Sequence, residues 1–273
     1  MILKIYLFKL HQNNMAIAFL LNTQSEIFKS KRTAAFWLTI VGAVIIPLVL
    51  TIGYNIYPKE FANEFKPDAW ATHLNNVWQG AAALLLPLYV ILVTSLMVQI
   101  EYRNNTWKQV YASPRTYADV FFSKFLVINL MIIACFVLFN LFIILSGYIS
   151  GILHPESYNF TKEPIPLVKM VKISSKLYLS VLAISAIQYW LSLRFKNFIA
   201  SIGIGAALFI IGLVLIEWPK NIYYPYVYTA LTYFKDLRKG NTVTSNHEIY
   251  SLIWFGGVLL LSFLDTVNRK ERG

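Results

Sequence analysis

The chain has 273 residues, of which 57% are hydrophobic and 14% are charged, and its formal net charge is +11 at pH 7. So low a share of charged residues argues against a soluble domain and predicts a membrane protein. The basic residues are spread along the chain and form no stripe with aromatics between them, which argues against a nucleic-acid-binding protein. The single cysteine, Cys135, lies in an apolar run, so we predict neither a disulfide framework nor a cysteine metal site.

The first 34 residues are predicted to form an interfacial segment. Lys4, Lys9 and His11 lie among apolar residues with no small-residue cleavage site after them, so we do not predict a signal peptide. From Ile17 to Lys31, apolar residues fall on one side of a helix and mostly basic residues on the other. This pattern predicts an amphipathic helix in the membrane interface; the alternative is a loop that leads into the first span.

Six apolar segments follow, each long enough, or nearly so, to cross a bilayer core that needs about 20 residues. We place them near residues 35–56, 78–100, 121–147, 177–193, 198–216 and 249–267. The fourth is the shortest, and its connection to the fifth, Arg194–Asn197, is so short that the two must form a hairpin. The sequence therefore predicts an all-α integral membrane protein with six transmembrane helices, organised as a single domain over residues 1–273.

The distribution of charge predicts the orientation. An even number of spans places both termini on one side of the membrane. The N-terminal segment, the short connections at 101–124 and 194–196, and the C-terminal tail together carry a net charge of +9, whereas the three longer loops carry +2. Because basic residues are retained on the cytoplasmic side, both termini and the 101–114 stretch are predicted to be cytoplasmic.

The longer loops, near 57–76, 148–175 and 217–248, are predicted to face outward. The last one is rich in aromatics between Trp218 and Phe234, which predicts one or two short helices in the outer interface. Each loop contains one histidine, namely His73, His154 and His247. Each is a lone histidine without further ligands at suitable spacing, so we predict no metal site.

The sequence contains no Gly-x-x-x-x-Gly-Lys-Ser/Thr phosphate loop, and we predict neither ATP binding by this chain nor a cofactor. No ionisable residue lies at the centre of a predicted span, which argues against a proton-coupled transporter. The ionisable residues at or near span ends are Glu101, Asp119, Lys124, Lys176, Glu217, Glu248 and Asp265. Neutral polar residues inside the spans, including Ser95, Asn140 and Gln188, are predicted to hydrogen-bond between helices, and Ser201, Gly203 and Gly205 to allow close helix packing.

The polar stretch 101–114, between the second and third spans, is predicted to contain a short helix. Thr106 and Gln109 form a capping box, so a helix begins at about Trp107. Pro114 ends it, and Ser113 and Pro114 are predicted to be the N-cap and first residue of the next helix.

This short helix has an aromatic face. Trp107, Val110 and Tyr111 lie at i, i+3 and i+4 on one side, and Lys108 and Gln109 lie on the other. The pattern predicts a short aromatic helix at the membrane surface.

A polar motif follows a basic interfacial helix and two spans, and it consists of Glu101, Asn105-Thr106-Trp107-Lys108 and Pro114. In this arrangement the chain resembles the permease subunits of ABC-2 type transporters, particularly the bacitracin and lantibiotic immunity exporters. The resemblance in topology covers the whole chain, but the resemblance in residues is confined to these positions. It implies a non-catalytic subunit in the inner membrane of a bacterium that exports a hydrophobic or amphipathic compound or an antimicrobial peptide. The implied partners are a second permease copy or paralogue and a separate ATPase on the cytoplasmic face.

In that family the short helix after the second span is the coupling helix, which docks into a groove of the ATPase. The resemblance thus implies that Trp107, Val110 and Tyr111 form the docking face and that Glu101 is a polar contact at the base of the second span. Two alternatives stay open. The short helix can be an interfacial turn without a partner, or the chain can be a membrane-embedded enzyme or scaffold whose active surface lies in the outward loops.

Overall fold

The computed structural model describes residues 18–66, 68–103, 116–239 and 244–268, and the regular structure in these ranges is helical throughout. Six of the helices are long and apolar enough to cross a membrane, as the sequence predicts. The main helices are α1 (18–30), α2 (Ala34–Ile56), α3 (Pro58–Phe65), α4 (Ala69–Arg103), α5 (Tyr117–Leu153), α6 (Leu167–Arg194), α7 (Phe198–Leu215), α8 (Tyr228–Leu231) and α9 (Asn246–Asn268).

The spanning helices extend beyond the apolar segments that predict them. The second spanning helix, α4, begins at Ala69 instead of near residue 78, and the fourth, α6, begins at Leu167 instead of near residue 177. At the start of α4, the Asp68 carboxylate accepts a hydrogen bond of 2.7 Å from the Ala71 amide. Such a cap stabilises turns of helix outside the bilayer core. Polar side chains are tolerated there, so the hydropathy of the sequence does not predict these turns.

The aromatic segment between α7 and α9 differs in part from its predicted structure. It does contain short helices, namely Asn221–Tyr223, Pro225–Val227, α8, Thr232–Asp236 and Leu237–Lys239. However, Tyr226, Tyr228 and Tyr233 are buried by neighbouring helices, whereas the rings of an interfacial aromatic belt are exposed to the headgroups. A side chain at Gly212 of α7 would place its Cβ 3.2 Å from the Tyr226 Cβ, a tight contact, so this close approach favours a glycine.

Polar residues link the spans, as predicted. The Gln188 side-chain amide of α6 donates hydrogen bonds to the Ser95 hydroxyl of α4 (2.8 Å) and to the Ser201 carbonyl of α7 (3.0 Å). A Cβ at Gly205 would lie 2.3 Å from Gln188 Oε1, whereas Gly203 has open space beside it. Ser201 and Gly205 therefore take part in the close packing of α7, and Gly203 does not.

Candidate functional site: a buried ion cluster at the end of the bundle that holds α1

Four charged side chains join α1 to the ends of α4 and α5. The Lys29 ammonium donates hydrogen bonds to Glu26 Oε1 at 2.7 Å and to Glu101 Oε1 at 2.8 Å. The Lys124 ammonium contacts Glu26 Oε2 and lies 3.3 Å from Glu101 Oε1. We call these four residues the base cluster. Each lysine bridges both carboxylates, so the two positive and two negative charges form one network.

The base cluster is removed from water. The side chains of Glu101 and Lys124 are each 1% exposed, and only that of Lys29, at 31%, reaches solvent substantially. Burial alone lowers the pKa of Lys29, but the hydrogen bonds that it donates to Glu101 and Glu26 outweigh this effect and raise its pKa above the usual 10.5. Lys29 is therefore charged throughout the physiological pH range. Buried charges are tolerated only when they are paired in this way.

The amphipathic pattern of α1 brings Glu26 to the cluster. The polar side of this helix, with Asn22, Glu26 and Ser30 one turn apart, is buried, whereas Leu20 and Phe28 are more than half exposed. The predicted helix is present over residues 18–30, with its polar side against the bundle and its apolar side exposed. Its location in the membrane interface stays a prediction.

The base cluster brackets the connection between α4 and α5. Glu101 lies in the last turn of α4, and Lys124 lies in the second turn beyond the start of α5 at Tyr117. The Thr116 hydroxyl oxygen caps α5 by accepting a hydrogen bond of 3.0 Å from the Asp119 amide. Thr116 and Tyr117 thus begin the third spanning helix, in place of the predicted Ser113 and Pro114.

Of the eight residues predicted to couple the chain to an ATPase, the structure describes Glu101. Its predicted position, as a polar contact at the base of the second span, is where the base cluster forms. The other seven, namely Asn105, Thr106, Trp107, Lys108, Val110, Tyr111 and Pro114, lie outside the described residues. Their role in coupling stays a prediction.

Sequence reasoning missed the partners of Glu101. It counted Lys124 among the charges of a cytoplasmic connection. In the structure Lys124 belongs to α5, and its side chain is buried against Glu26 and Glu101. It also assigned no partner to Glu26. The signal that was available is one lysine and two glutamates adjoining long apolar segments, where a charge that cannot reach water needs a partner.

A second ionic cluster lies at the opposite end of the bundle. The Lys176 ammonium is 3.4 Å from both Asp236 Oδ2 and Glu248 Oε1, and His247 Nε2 is 3.3 Å from Asp236 Oδ2. We call these four residues the loop-side cluster. Because α6 begins at Leu167, Lys176 lies about 14 Å along the helix from its start. Lys176 directly precedes the apolar segment predicted near 177–193, so its predicted place near a span end is unchanged, but its side chain is buried and ion-paired.

Asp236, His247 and Glu248 each offer a ligand atom within 4.8 Å of one another, which is a spacing suited to a metal ion. The Lys176 ammonium contacts both carboxylates and already supplies the positive charge that an ion would bring. The other two histidines of the predicted outward loops have different partners. His73 Nε2 lies 2.7 Å from the Ser146 hydroxyl inside the bundle, and His154 lies beside Glu156.

The family model described as ABC-2 family transporter protein matches residues 23–212, which is more than two thirds of the chain. The chain belongs to the ABC-2 transporter family. The match runs from α1 to near the end of α7, so it includes all four residues of the base cluster. No curated protein matches the chain. Membership of the ABC-2 family, together with the six spanning helices, makes the chain a membrane permease of an ABC transporter.

Proposed function

We propose that this chain is the permease subunit of an ABC exporter for a hydrophobic or amphipathic compound or an antimicrobial peptide, powered by a separate ATPase. In this proposal the chain forms a single transmembrane domain and pairs with a second permease. The ATPase docks on the 104–115 connection. The observation that carries the proposal is the base cluster, which ties both ends of this connection to α1.

The base cluster suits the transmission of force from a docked partner. A displacement of the connection acts on Glu101 at the end of α4 and on Lys124 near the start of α5. Because both are bound to α1 through Glu26 and Lys29, the three helices are expected to move as one unit. A buried ionic network favours such joint movement, since separating its charges without water is costly. The docked ATPase thereby biases the arrangement of the spans.

Energy supply by a partner is supported by the family and by the lack of a phosphate loop in the sequence. The ionisable groups of the loop-side cluster lie near the ends of the spans and not at their centres. Membership of the ABC-2 family favours ATP as the energy source.

The proposed orientation places α1 and the 104–115 connection in the cytoplasm, on the basis of the +9 against +2 charge asymmetry. In an otherwise cysteine-free chain, a cysteine at Asn104 is expected to react with an impermeant maleimide only after the membrane is opened. A cysteine at Asn63, in α3, is expected to react in intact cells. Labelling of position 104 from outside would contradict the orientation and, with it, the docking site.

Docking on the aromatic face is tested by truncating its largest side chain. Trp107→Ala is expected to weaken recovery of the ATPase in a pull-down by about 30-fold or more, because a buried aromatic anchor accounts for about 2 kcal/mol or more of binding energy. Tyr111→Ala is expected to act in the same direction. Both variants are expected to insert into the membrane at normal levels, since neither change affects a predicted span.

Lys108→Gln is the matched control, because Lys108 lies on the opposite side of the predicted helix. It is expected to change ATPase recovery little. If ATPase recovery with Trp107→Ala equals that with Lys108→Gln, the stretch is an interfacial turn and the ATPase docks elsewhere.

A further inference from the structure

A recess opens at the loop end of the bundle. It lies between the start of α6, the part of α4 around Asn75 and the chain after α8. Its volume is about 580 Å³. Lys169 and Lys172 line it on one side, and Tyr233 and Asn75 line it on the other. We call this cavity the loop-side recess. It is distinct from the base cluster, which lies at the other end of the spans.

The recess carries positive charge without a counterion. Lys169, Lys172 and Lys176 lie on one face of α6 at i, i+3 and i+7, but only Lys176, the deepest, is buried and ion-paired. Across residues 18–66, 68–103, 116–239 and 244–268, no carboxylate forms an ion pair with Lys169 or Lys172. Two ammonium groups are thus available to an anionic ligand.

The nearest acidic residues are engaged by the backbone. Asp68 and Glu163 share a smaller cavity with Lys169. The Asp68 carboxylate accepts a hydrogen bond from the Ala71 amide at 2.7 Å, and that of Glu163 accepts one from the Ala69 amide at 3.1 Å. Neither carboxylate lines the recess itself, whose charged lining residues are Lys169 and Lys172.

The rest of the lining is apolar. Ile165, Val168 and Ile173 contribute to the recess, and Val168 is 70% exposed at the start of a spanning helix. Leu167 lines both this recess and a second, apolar cavity of about 470 Å³ between α5 and α6. Apolar surface therefore continues from the two lysines to the flank of the spans. A soluble anion would bury nothing on this apolar surface, whereas the acyl chains of a lipid would pack against it.

We propose that the loop-side recess binds an anionic phospholipid, with its phosphate on Lys169 and Lys172 and its acyl chains leaving past Leu167 along the cavity between α5 and α6. Ammonium groups attract anionic lipid headgroups, and acyl chains favour an apolar groove. A second copy of this chain fits the recess less well. In a two-fold symmetric contact with the recess on its axis, one pair of lysines would face the other. The proposal does not depend on the transported substrate.

The test is native mass spectrometry of the full chain in neutral detergent, titrated with dioleoyl phosphatidylglycerol or with the zwitterionic dioleoyl phosphatidylcholine. We expect tighter binding of phosphatidylglycerol. The Lys169→Gln/Lys172→Gln variant is expected to lose about 30-fold in affinity for phosphatidylglycerol, because each lysine near an anionic headgroup accounts for about a fivefold effect. Affinity for phosphatidylcholine is expected to stay the same.

The matched control is Lys59→Gln/Lys66→Gln, which removes the same charge from α3 and the residue after it, away from the recess. It is expected to retain the preference for phosphatidylglycerol. Equal loss in both double variants would show bulk charge attraction and overturn the site. Displacement of the lipid by millimolar glycerol 3-phosphate would assign the recess to a soluble phosphate. A change in the dimer fraction of the Lys169/Lys172 variant, with lipid binding unchanged, would assign it to a protein interface.

Discussion

Replacing Lys124 with methionine is expected to lower the free energy of unfolding by about 3–5 kcal/mol, because it leaves buried carboxylates short of one positive charge. Lys124 is 1% exposed and contacts both Glu26 and Glu101. Methionine is similar in length, so the loss reports charge and not a cavity. The measurement is equilibrium unfolding of the purified chain in mixed micelles, followed by circular dichroism.

The control for this prediction restores the balance of charge. In Lys124→Met/Glu101→Gln, one carboxylate, Glu26, remains with Lys29, 2.7 Å away. This double variant is expected to recover a large part of the lost stability, since no buried charge is then unpaired. A double variant less stable than Lys124→Met would show that Lys124 acts through packing and not through the base cluster.

The same variants test the coupling proposal through a different readout. If the base cluster transmits movement of the 104–115 connection, Lys124→Met should still recover the ATPase in a pull-down but lose stimulation of its activity by substrate. Trp107→Ala should lose recovery itself. The two failures are therefore distinguishable. Normal substrate stimulation in Lys124→Met would separate the base cluster from coupling.

The second large effect is expected at the opposite end of the bundle. Lys176→Met leaves Asp236 and Glu248 close together without the ammonium that lies 3.4 Å from each. Like charges in a site of low exposure repel strongly, so the free energy of unfolding is expected to fall by about 3–5 kcal/mol. The same unfolding assay measures it.

Lys172→Met is the matched control, one turn nearer to the start of α6. Lys172 is exposed and forms no ion pair with a described residue, so its replacement is expected to change stability by no more than about 0.5 kcal/mol. Adding Glu248→Gln to Lys176→Met is expected to recover stability, because it removes the repulsion between the Asp236 and Glu248 carboxylates. Asp236 then retains His247 as a neighbour at 3.3 Å. Equal effects of the Lys176 and Lys172 replacements would contradict the role of the loop-side cluster.

The two clusters connect parts of the chain that are far apart in sequence. Lys124 and Glu26 are separated by 98 residues, and Lys176 and Asp236 by 60. The first cluster joins α1 to the two helices that flank the connection between the second and third spans. The second joins α6 to the segment before α9, through Asp236, and to the first turn of α9, through His247 and Glu248. The first lies where the family model matches, whereas Asp236, His247 and Glu248 lie beyond residue 212, where that match ends.

The sequence by itself determined the fold class, the six spans and the amphipathic character of α1. These properties are local, because a bilayer core requires runs of about 20 apolar residues and an interfacial helix requires one apolar side. The hairpin between α6 and α7 was predictable for the same reason, since Arg194–Asn197 leaves no room for another arrangement. Hydropathy did not reveal where α4 and α6 begin, because polar residues such as His73 in α4 and Lys172 in α6 interrupt the apolar pattern of the early turns. The start of α4 is also set by the Asp68 cap.

Only the tertiary structure decided which charges meet. Whether Glu26 faces water or Lys124 depends on the rotation of α1 about its axis and on its position against α5, and neither follows from a local pattern. The aromatic segment is a second case, because Tyr226 and Tyr228 suit a headgroup layer by composition but fill the space beside Gly212 and α6 instead. Burial of a polar or aromatic group depends on the shapes of the helices around it. Those shapes exist only once the spans have packed together.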